Sequence, residues 1–338
     1  MEPTTEQTAQ LARELEARGC SDLLPVIAPH TEGCFSILPN RGDPYASVGA
    51  HRLGGDPDLP PDFDWPTRSE EPFAGRAAFI GQIRLDALPA HGPLPAAGLL
   101  SIFCFGTESA ADPVDVAVQL FTDCRDLRRR RMDASEIADE YLRGLRPVAV
   151  DLAPAIDVDW SVLLDPFAGR DPSLYERLTD LRVALGSAGI GQLLGFALDH
   201  DKTDLRVEVV LAAEGRRDIE HETFIRSMQQ YREMLERMRA ERDREREEKA
   251  GKPQDYSLRY KTTRIEELER KAKSIRWWVD NRRRLLAEAR RWHSLLRVDS
   301  NESMDLSIND ADPLFVFAHE TELAAGRFTR PTGRVLQG

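Results

Sequence analysis

The sequence predicts an α+β protein: a β-rich body built from two pseudo-repeated halves, with an antiparallel helical hairpin, a coiled coil, inserted into the second half. Three observations carry this. Short apolar runs of strand length, bounded by Gly and Pro, recur on both sides of residues 216–294. Within 216–294 the apolar residues are instead spaced by threes and fours. One order of elements, a Gly turn followed by a strand ending in Asp and then an aromatic strand, occurs twice. The boundaries follow: 1–30 an N-terminal helix and linker, 31–215 with 295–338 the body, and 216–294 the hairpin.

Taken in order, residues 4–18 read as a helix, because Thr4 and Gln7 form a capping box and Leu11 and Leu15 share a face. Residues 34–38 read as a short strand. The stretch 39–66 holds four glycines and six prolines, too long for a structureless loop unless Leu53, Leu59, Phe63 and Trp65 pin it to a core. Strands are expected at 77–85, 99–105 and 114–121. The four arginines at 128–131 read as a solvated face, with phosphate binding the alternative, and 134–142 as a helix. Residues 147–152 read as extended, 173–185 as a helix, 189–198 as a Gly-bearing apolar segment and 205–212 as a strand. Strands at 295–298 and 314–318, a short helix at 319–325 and a terminal strand at 335–336 complete the body.

The hairpin rests on two heptad seams. Phe224, Met228, Tyr231, Leu235 and Met238 form the first; Ile265, Leu268, Ala272, Ile275, Val279, Arg282, Leu286 and Ala289 form the second. Gly251 and Pro253 supply a turn between them. Arms of about 28 residues would reach roughly 42 Å. Ile275, Trp278, Val279, Leu285, Leu286 and Trp292 widen the apolar face near the base, which predicts packing of the base on the body. Residues 216–294 carry a net charge of +7 and the remainder −19, for a total of −12.

The duplicated order reads Leu53-Gly54-Gly55, then residues 80–86 ending in Asp86, then 98–103; and Leu193-Leu194-Gly195-Phe196, then 295–299 ending in Asp299, then 312–317.

Composition excludes several classes. Of 338 residues, 41% are hydrophobic, enough for a core. No apolar run approaches the roughly 20 residues of a membrane helix, and residues 1–10 lack the pattern of a secretory signal. The expectation is a cytoplasmic protein with no membrane partner. The negative net charge disfavours nucleic acid. The four cysteines, Cys20, Cys34, Cys104 and Cys124, form no C-x-x-C pair and read as reduced thiols, Cys104 as core. The histidines show no metal-ligand spacing. Asp199, His200, Asp201 and Asp204 read as a polar loop rather than a metal site, and Asn309, Asp310 and Asp312 as a turn. No metal or other cofactor is expected.

Gly54-Gly55-Asp56-Pro57-Asp58-Leu59-Pro60 with Trp65-Pro66, the 79–85 segment with Gln82, the 94–105 strand, Trp292-His293-Ser294-Leu295-Leu296 and Asp299-Ser300 together resemble the YwqG-like family of bacterial proteins, also described as domain of unknown function 1963. The resemblance spans most of 34–337 outside the hairpin, which looks like an insertion particular to a subset. It implies a mixed fold dominated by sheets and no established enzymatic activity. Some members resemble, by context, proteins encoded beside secreted bacterial toxins, which implies immunity or inhibition by analogy. Arg297 stands where the family often has Gln after Leu-Leu, and Pro313 where it often has Gly.

With no nucleophile elbow, P-loop or dinucleotide loop in view, the expected function is non-enzymatic protein binding, with the hairpin as contact arm. Self-association through the hairpin is a further expectation. The alternative is a small-ligand site or an enzyme pocket between the two halves. The candidate binding residues are Gly54, Gly55, Asp56, Trp65, Gln82, Arg84, Asp86, Arg297 and Asp299. No catalytic residue stands out.

Overall fold

The computed structural model describes residues 2–69, 74–89, 92–107, 114–131, 133–164, 171–185, 189–197, 205–216, 228–248, 256–308 and 311–335. The polar loop expected at 199–204 lies outside them, as do Asn309, Asp310, Phe224 and the turn at 249–255. The chain divides into two compact units, Met1–Val209 with Arg290–Gly338, and Val210–Ala289.

The first unit is mixed α and β, dominated by one antiparallel ten-stranded sheet. The strands are β1 (Thr31–Pro39), β2 (Arg52–Leu53), β3 (Asp58–Leu59), β4 (Thr67–Arg68), β5 (Gly75–Arg76), β6 (Ala78–Arg84), β7 (Leu99–Cys104), β8 (Val116–Phe121), β9 (Arg128–Arg129), β10 (Val148–Val158), β11 (Gly191–Leu193), β12 (Trp292–Val298), β13 (Leu314–His319) and β14 (Thr332–Val335). The order across the large sheet is β14-β13-β12-β11-β1-β10-β2-β6-β7-β8; β3 pairs with β9, and β4 with β5. The two ends of the large sheet meet: Val114 and Gly333 exchange backbone hydrogen bonds of 2.8 and 2.7 Å, so the sheet nearly closes into a barrel. Gly333 is needed there, since a Cβ would sit 2.9 Å from Val116 Cγ1.

One apolar cluster fills the concave side, drawing Ile37, Leu53, Ile80, Ile102, Val118, Leu193, Leu296 and Val316 from successive strands. Strand β7 is buried on both faces, which explains its unbroken apolar sequence. Its outer face, with Phe103 and Phe105, is covered by Leu59, Phe63 and Trp65 from the Gly/Pro stretch. That stretch is therefore pinned as expected, and Trp65 Nε1 donates to the Ala77 carbonyl at 2.9 Å. A separate cluster joins α1 (Thr5–Ala17), α3 (Trp160–Leu164) and α4 (Pro172–Ala184) to Val158 of β10. Helix α2 (Leu24–Ile27) lies between α1 and β1 in the chain. Helix α1 has the Thr4/Gln7 capping box.

Two expectations are corrected. Residues 205–212 form a helix, α5 (Leu205–Ala213), not a strand. Leu205, Val207, Val209, Val210 and Leu211 are all buried, and a short run buried nearly all round carries no usable period. The missed signal is Gly215, whose φ of 69° ends the helix; its N–H bonds to Ala212 O and that of Arg216 to Leu211 O. Residues 134–142 are two 3₁₀ turns rather than one helix. Asp133 and Asp139 each accept the N–H two residues on, at Ser135 and Tyr141, and so compete with a continuous helix.

The second unit contains α6 (Met228–Glu248) and α7 (Tyr256–Ala289). Ion pairs Glu245–Lys261 and Arg239–Glu269 show that the two helices run antiparallel. Leu235 and Met238 are half-buried, and Glu241, Arg242 and Glu245 continue their stripe. The side chains of Met228 and Tyr231 lie outside the described residues. On α7, Ile265, Leu268 and Ile275 are buried as the spacing predicts. Beyond them Trp278, Leu285 and Ala289 are buried, while Val279 is 54% exposed, Arg282 is exposed and Leu286 is half-buried. The buried stripe steps one residue round the helix because 3.6 residues per turn drift from a strict heptad, and the large Trp278 ring takes the inward position. Helix α8 (Glu320–Ala325) lies between β13 and β14 in the first unit.

Candidate functional site

The Gly/Pro stretch folds around a buried polar network. Gly54 and Gly55 both have positive φ, 63° and 71°, and a Cβ would overlap the Arg146 carbonyl at the first and the Tyr45 hydroxyl at the second. This double turn brings Asp58 back beside Arg52 and Gln82, which lie opposite each other on β2 and β6. All three side chains are fully buried. Gln82 Oε1 accepts from the Asp58 N–H at 2.9 Å and from Arg52 Nη2 at 3.3 Å; its Nε2 donates to Asp58 Oδ2 at 2.8 Å and to Ala50 O at 2.9 Å. Asp58 Oδ2 also accepts from the Gly49 N–H at 2.9 Å and from Arg52 Nη2 at 3.2 Å.

A second arginine completes the network. Asp58 Oδ1 forms an ion pair with Arg129 Nε at 3.2 Å, across the β3–β9 ladder. The Tyr45 ring meets both guanidiniums, at 4.9 Å for Arg52 and 4.2 Å for Arg129. Arg52 donates to the Pro44 and Asp56 carbonyls, and Arg129 to the Tyr45 and Ser47 carbonyls. Burial lowers the pKa of Arg52 from its ordinary value while the charge of Asp58 holds it up. Arg129 thus departs from the solvated face expected of the 128–131 run: it is bound to the loop.

The other candidates fall in two places. Arg84 and Asp86 pair at 2.6 Å and line an open groove of 590 Å³ with Gly98, Thr122, Asp123, Cys124 and Arg125. Asp123 and Arg125 are themselves paired at 2.9 Å. Arg297 Nε pairs with Asp299 Oδ1 at 2.9 Å, and neither residue lines that groove. Arg297 lies across from Gln192 in the β11–β12 register. Gln192 Nε2 donates to Asp157 Oδ2 at 2.7 Å and to Leu194 O at 2.9 Å, and the Phe196 N–H reaches the same carboxylate at 2.9 Å. Burial pushes the Asp157 pKa up, opposed by these hydrogen bonds and by Arg297. Asp56 contributes its backbone: its carbonyl accepts from Arg52 and its N–H donates to the Tyr45 hydroxyl. The candidates therefore do not converge on one cavity.

Sequence reading misses Arg52, Asp58, Arg129, Asp157 and Gln192. Asp58 stands inside the quoted Gly/Pro motif and Arg129 inside the arginine run; Arg52 gives no signal beyond its place before Leu53. Among the described residues, no group of three or more His, Cys, Asp and Glu side chains is placed to hold a metal ion, and no helix is long and apolar enough to cross a membrane. Burial pushes the Cys104 thiol up to about 12.

Residues 51–151, which hold the whole Arg52–Asp58–Gln82–Arg129 network, match the family model described as domain of unknown function (DUF1963). That match covers less than a third of the chain. The YwqG-like resemblance of its Gly-Gly-Asp-Pro-Asp-Leu-Pro stretch is consistent with that family. No curated protein matches the chain. Within the DUF1963 region the polar side chains of this network are engaged by other protein groups, so their evident work is to hold the Gly/Pro stretch against β6 and β7.

The second unit bears charge of a different kind. Helix α7 has ten basic and five acidic residues, a net of +5, whereas α6 has a net of −1. Arg270, Lys271, Lys273, Arg276, Arg282 and Arg283 are all exposed, with Asp280 the one acid between Arg270 and Arg283. None of the six forms an ion pair among the described residues. Arg284, by contrast, is tied to Glu214, and Arg216 lies over the Trp277 ring at 4.0 Å.

Proposed function

We propose that this chain is a non-enzymatic protein-binding module in which the exposed basic face of α7 is the contact surface and the DUF1963 network is scaffold. The carrying observation is that Arg270, Lys273, Arg276 and Arg283, spaced by three, three and seven, share one exposed flank of α7 and form no ion pair among the described residues. Charges that a helix needs for its own stability are commonly paired at i, i+3 or i, i+4; among the described residues these are not, which suits them to an acidic surface. Tyr256 and Tyr260, 83% and 59% exposed, stand one turn apart on the same helix, and exposed tyrosines of this kind anchor protein interfaces.

The reading takes α6 and α7 as the arms of an antiparallel coiled coil inserted into a twofold body. Support for the twofold body comes from the swapped cross-strand pairs: Arg52 faces Gln82, and Gln192 faces Arg297. Each short strand runs into a turn of two positive-φ residues, Gly54-Gly55 and Leu194-Gly195, and each long strand leads to an Arg–Asp pair two residues apart. The glutamine missing after Leu296 then has its counterpart one strand over, at Gln192.

The test is titration of labelled poly-glutamate, read by fluorescence anisotropy. The full chain is expected to bind in low salt, and the Arg270→Gln/Lys273→Gln/Arg276→Gln variant to bind at least tenfold more weakly. Equal binding by the two proteins, or none by either, contradicts the reading. The groove at Arg84 favours a second reading, a small polar ligand, which Arg84→Ala would abolish while leaving poly-glutamate binding intact.

A further inference from the structure

We infer that the acidic surface met by α7 is the body of a second copy of this chain. The inference rests on the contact-face reading above and names its partner. The sequence divides its charge between a segment of net +7 and a remainder of net −19. A body of opposite net charge is thus supplied by every copy, at the same concentration as the basic helix itself.

The charge distribution separates this partner from a polyphosphate. A nucleic acid approaching α7 also meets the field of the −19 remainder, which repels it. A second copy presents that same remainder as the attractive surface. At close range, within a Debye length of about 8–10 Å at moderate salt, the local match between Arg270, Lys273, Arg276 and acidic side chains outweighs repulsion between the two net charges. Polar attraction is not the whole of the face. Tyr256 and Tyr260, four residues apart, add two exposed rings on one side of the same helix. Rings of this kind bury apolar area while their hydroxyls stay wet.

The basic helix and the acidic body are different surfaces. Contact between them is therefore heterologous unless two copies exchange helices reciprocally. Reciprocal exchange about a twofold axis uses both helices and closes at two subunits, so a dimer is the assembly inferred.

Sedimentation velocity of the full-length chain tests this. At about 50 mM salt the wild-type protein is expected to sediment as a dimer, and at about 500 mM as a monomer, because screening lengths shorten from about 14 to about 4 Å. The Arg270→Gln/Lys273→Gln/Arg276→Gln variant is expected to be monomeric at both, with an unfolding midpoint equal to wild type at about 500 mM salt, where both are monomers. A separate Tyr256→Ala/Tyr260→Ala variant is expected to weaken the dimer while leaving the charges in place. Wild-type protein that is monomeric in low salt overturns the inference. So does a dimer indifferent to salt or to the charge substitutions. If that monomer still binds poly-glutamate through α7, the contact-face reading survives and the second-copy inference alone fails.

Discussion

Two arginine-rich regions of this chain treat charge in opposite ways. In the DUF1963 region, Arg52 and Arg129 are wrapped around Asp58, stacked on Tyr45 and bonded to carbonyls of the loop they organise. On α7, six basic residues between Arg270 and Arg283 stand in solvent without partners among the described residues. A buried charge is tolerated when its partners are fixed in place, and it then specifies one conformation of the loop. An exposed charge adds little to folding and remains available for recognition. Arginine is plentiful in both regions; what differs is whether the topology brings acceptors to the guanidinium.

The largest effect is expected at Asp58. Asp58→Ala leaves Arg52 buried beside no carboxylate and removes an acceptor from Gly49 and Gln82, so a loss of about 3–5 kcal/mol is expected in urea unfolding. Gly54→Ala attacks the same network through the backbone. A side chain there is strained by its φ of 63° and meets the Arg146 carbonyl, for an expected loss of about 2–3 kcal/mol. At the seam where the sheet closes, Gly333→Ala crowds Val114 and Val116 and is expected to cost about 1–2 kcal/mol. Hydrogen exchange of the Val114 amide, which bonds to Gly333, should quicken with it.

Acid titration gives a smaller effect with a defined sign. Burial lowers the pKa of His51 and of His293 below 6.5, and His51 Nδ1 accepts the Arg84 N–H at 3.1 Å, as a neutral ring can. At these two histidines the unfolded chain therefore binds more protons than the folded one below pH 6.5, opposite in sign to the raised Asp157. Stability rises with pH through that window, is complete above it, and falls as the solution is acidified. Urea midpoints from pH 5 to 7.5 should show this slope, reduced in His51→Asn. Least affected should be the Arg270→Gln/Lys273→Gln/Arg276→Gln variant, within about 1 kcal/mol of wild type, because its side chains are solvated and lose only weak helix pairs.

Local signals carry much of the fold. The capping box at Thr4 and Gln7, the unbroken apolar run of β7 and the pinning of Leu59 and Trp65 each depend on residues near in sequence, or on burial that apolarity announces. Helix α5 reads as a strand until its Gly215 stop is weighed, because Leu205-Arg206-Val207-Glu208-Val209 alternates apolar and polar. The candidate site is less legible. Gln82 stands out through the family pattern, but its partners do not, because Arg52 and Arg129 look like surface residues in one dimension. They are separated from Gln82 and Asp58 by 30 and 71 positions, and no periodicity links them. Charged residues enter a core only when distant strands deliver their partners, and that delivery is a property of topology.

The division between scaffold charge and contact charge is decided by equilibrium unfolding of the full chain in urea, with Asp58→Ala and the triple glutamine variant of α7 measured side by side. The expected result is a loss of several kcal/mol in the first and of less than about 1 kcal/mol in the second. Comparable losses in both, or an Asp58→Ala protein as stable as wild type, would refute it.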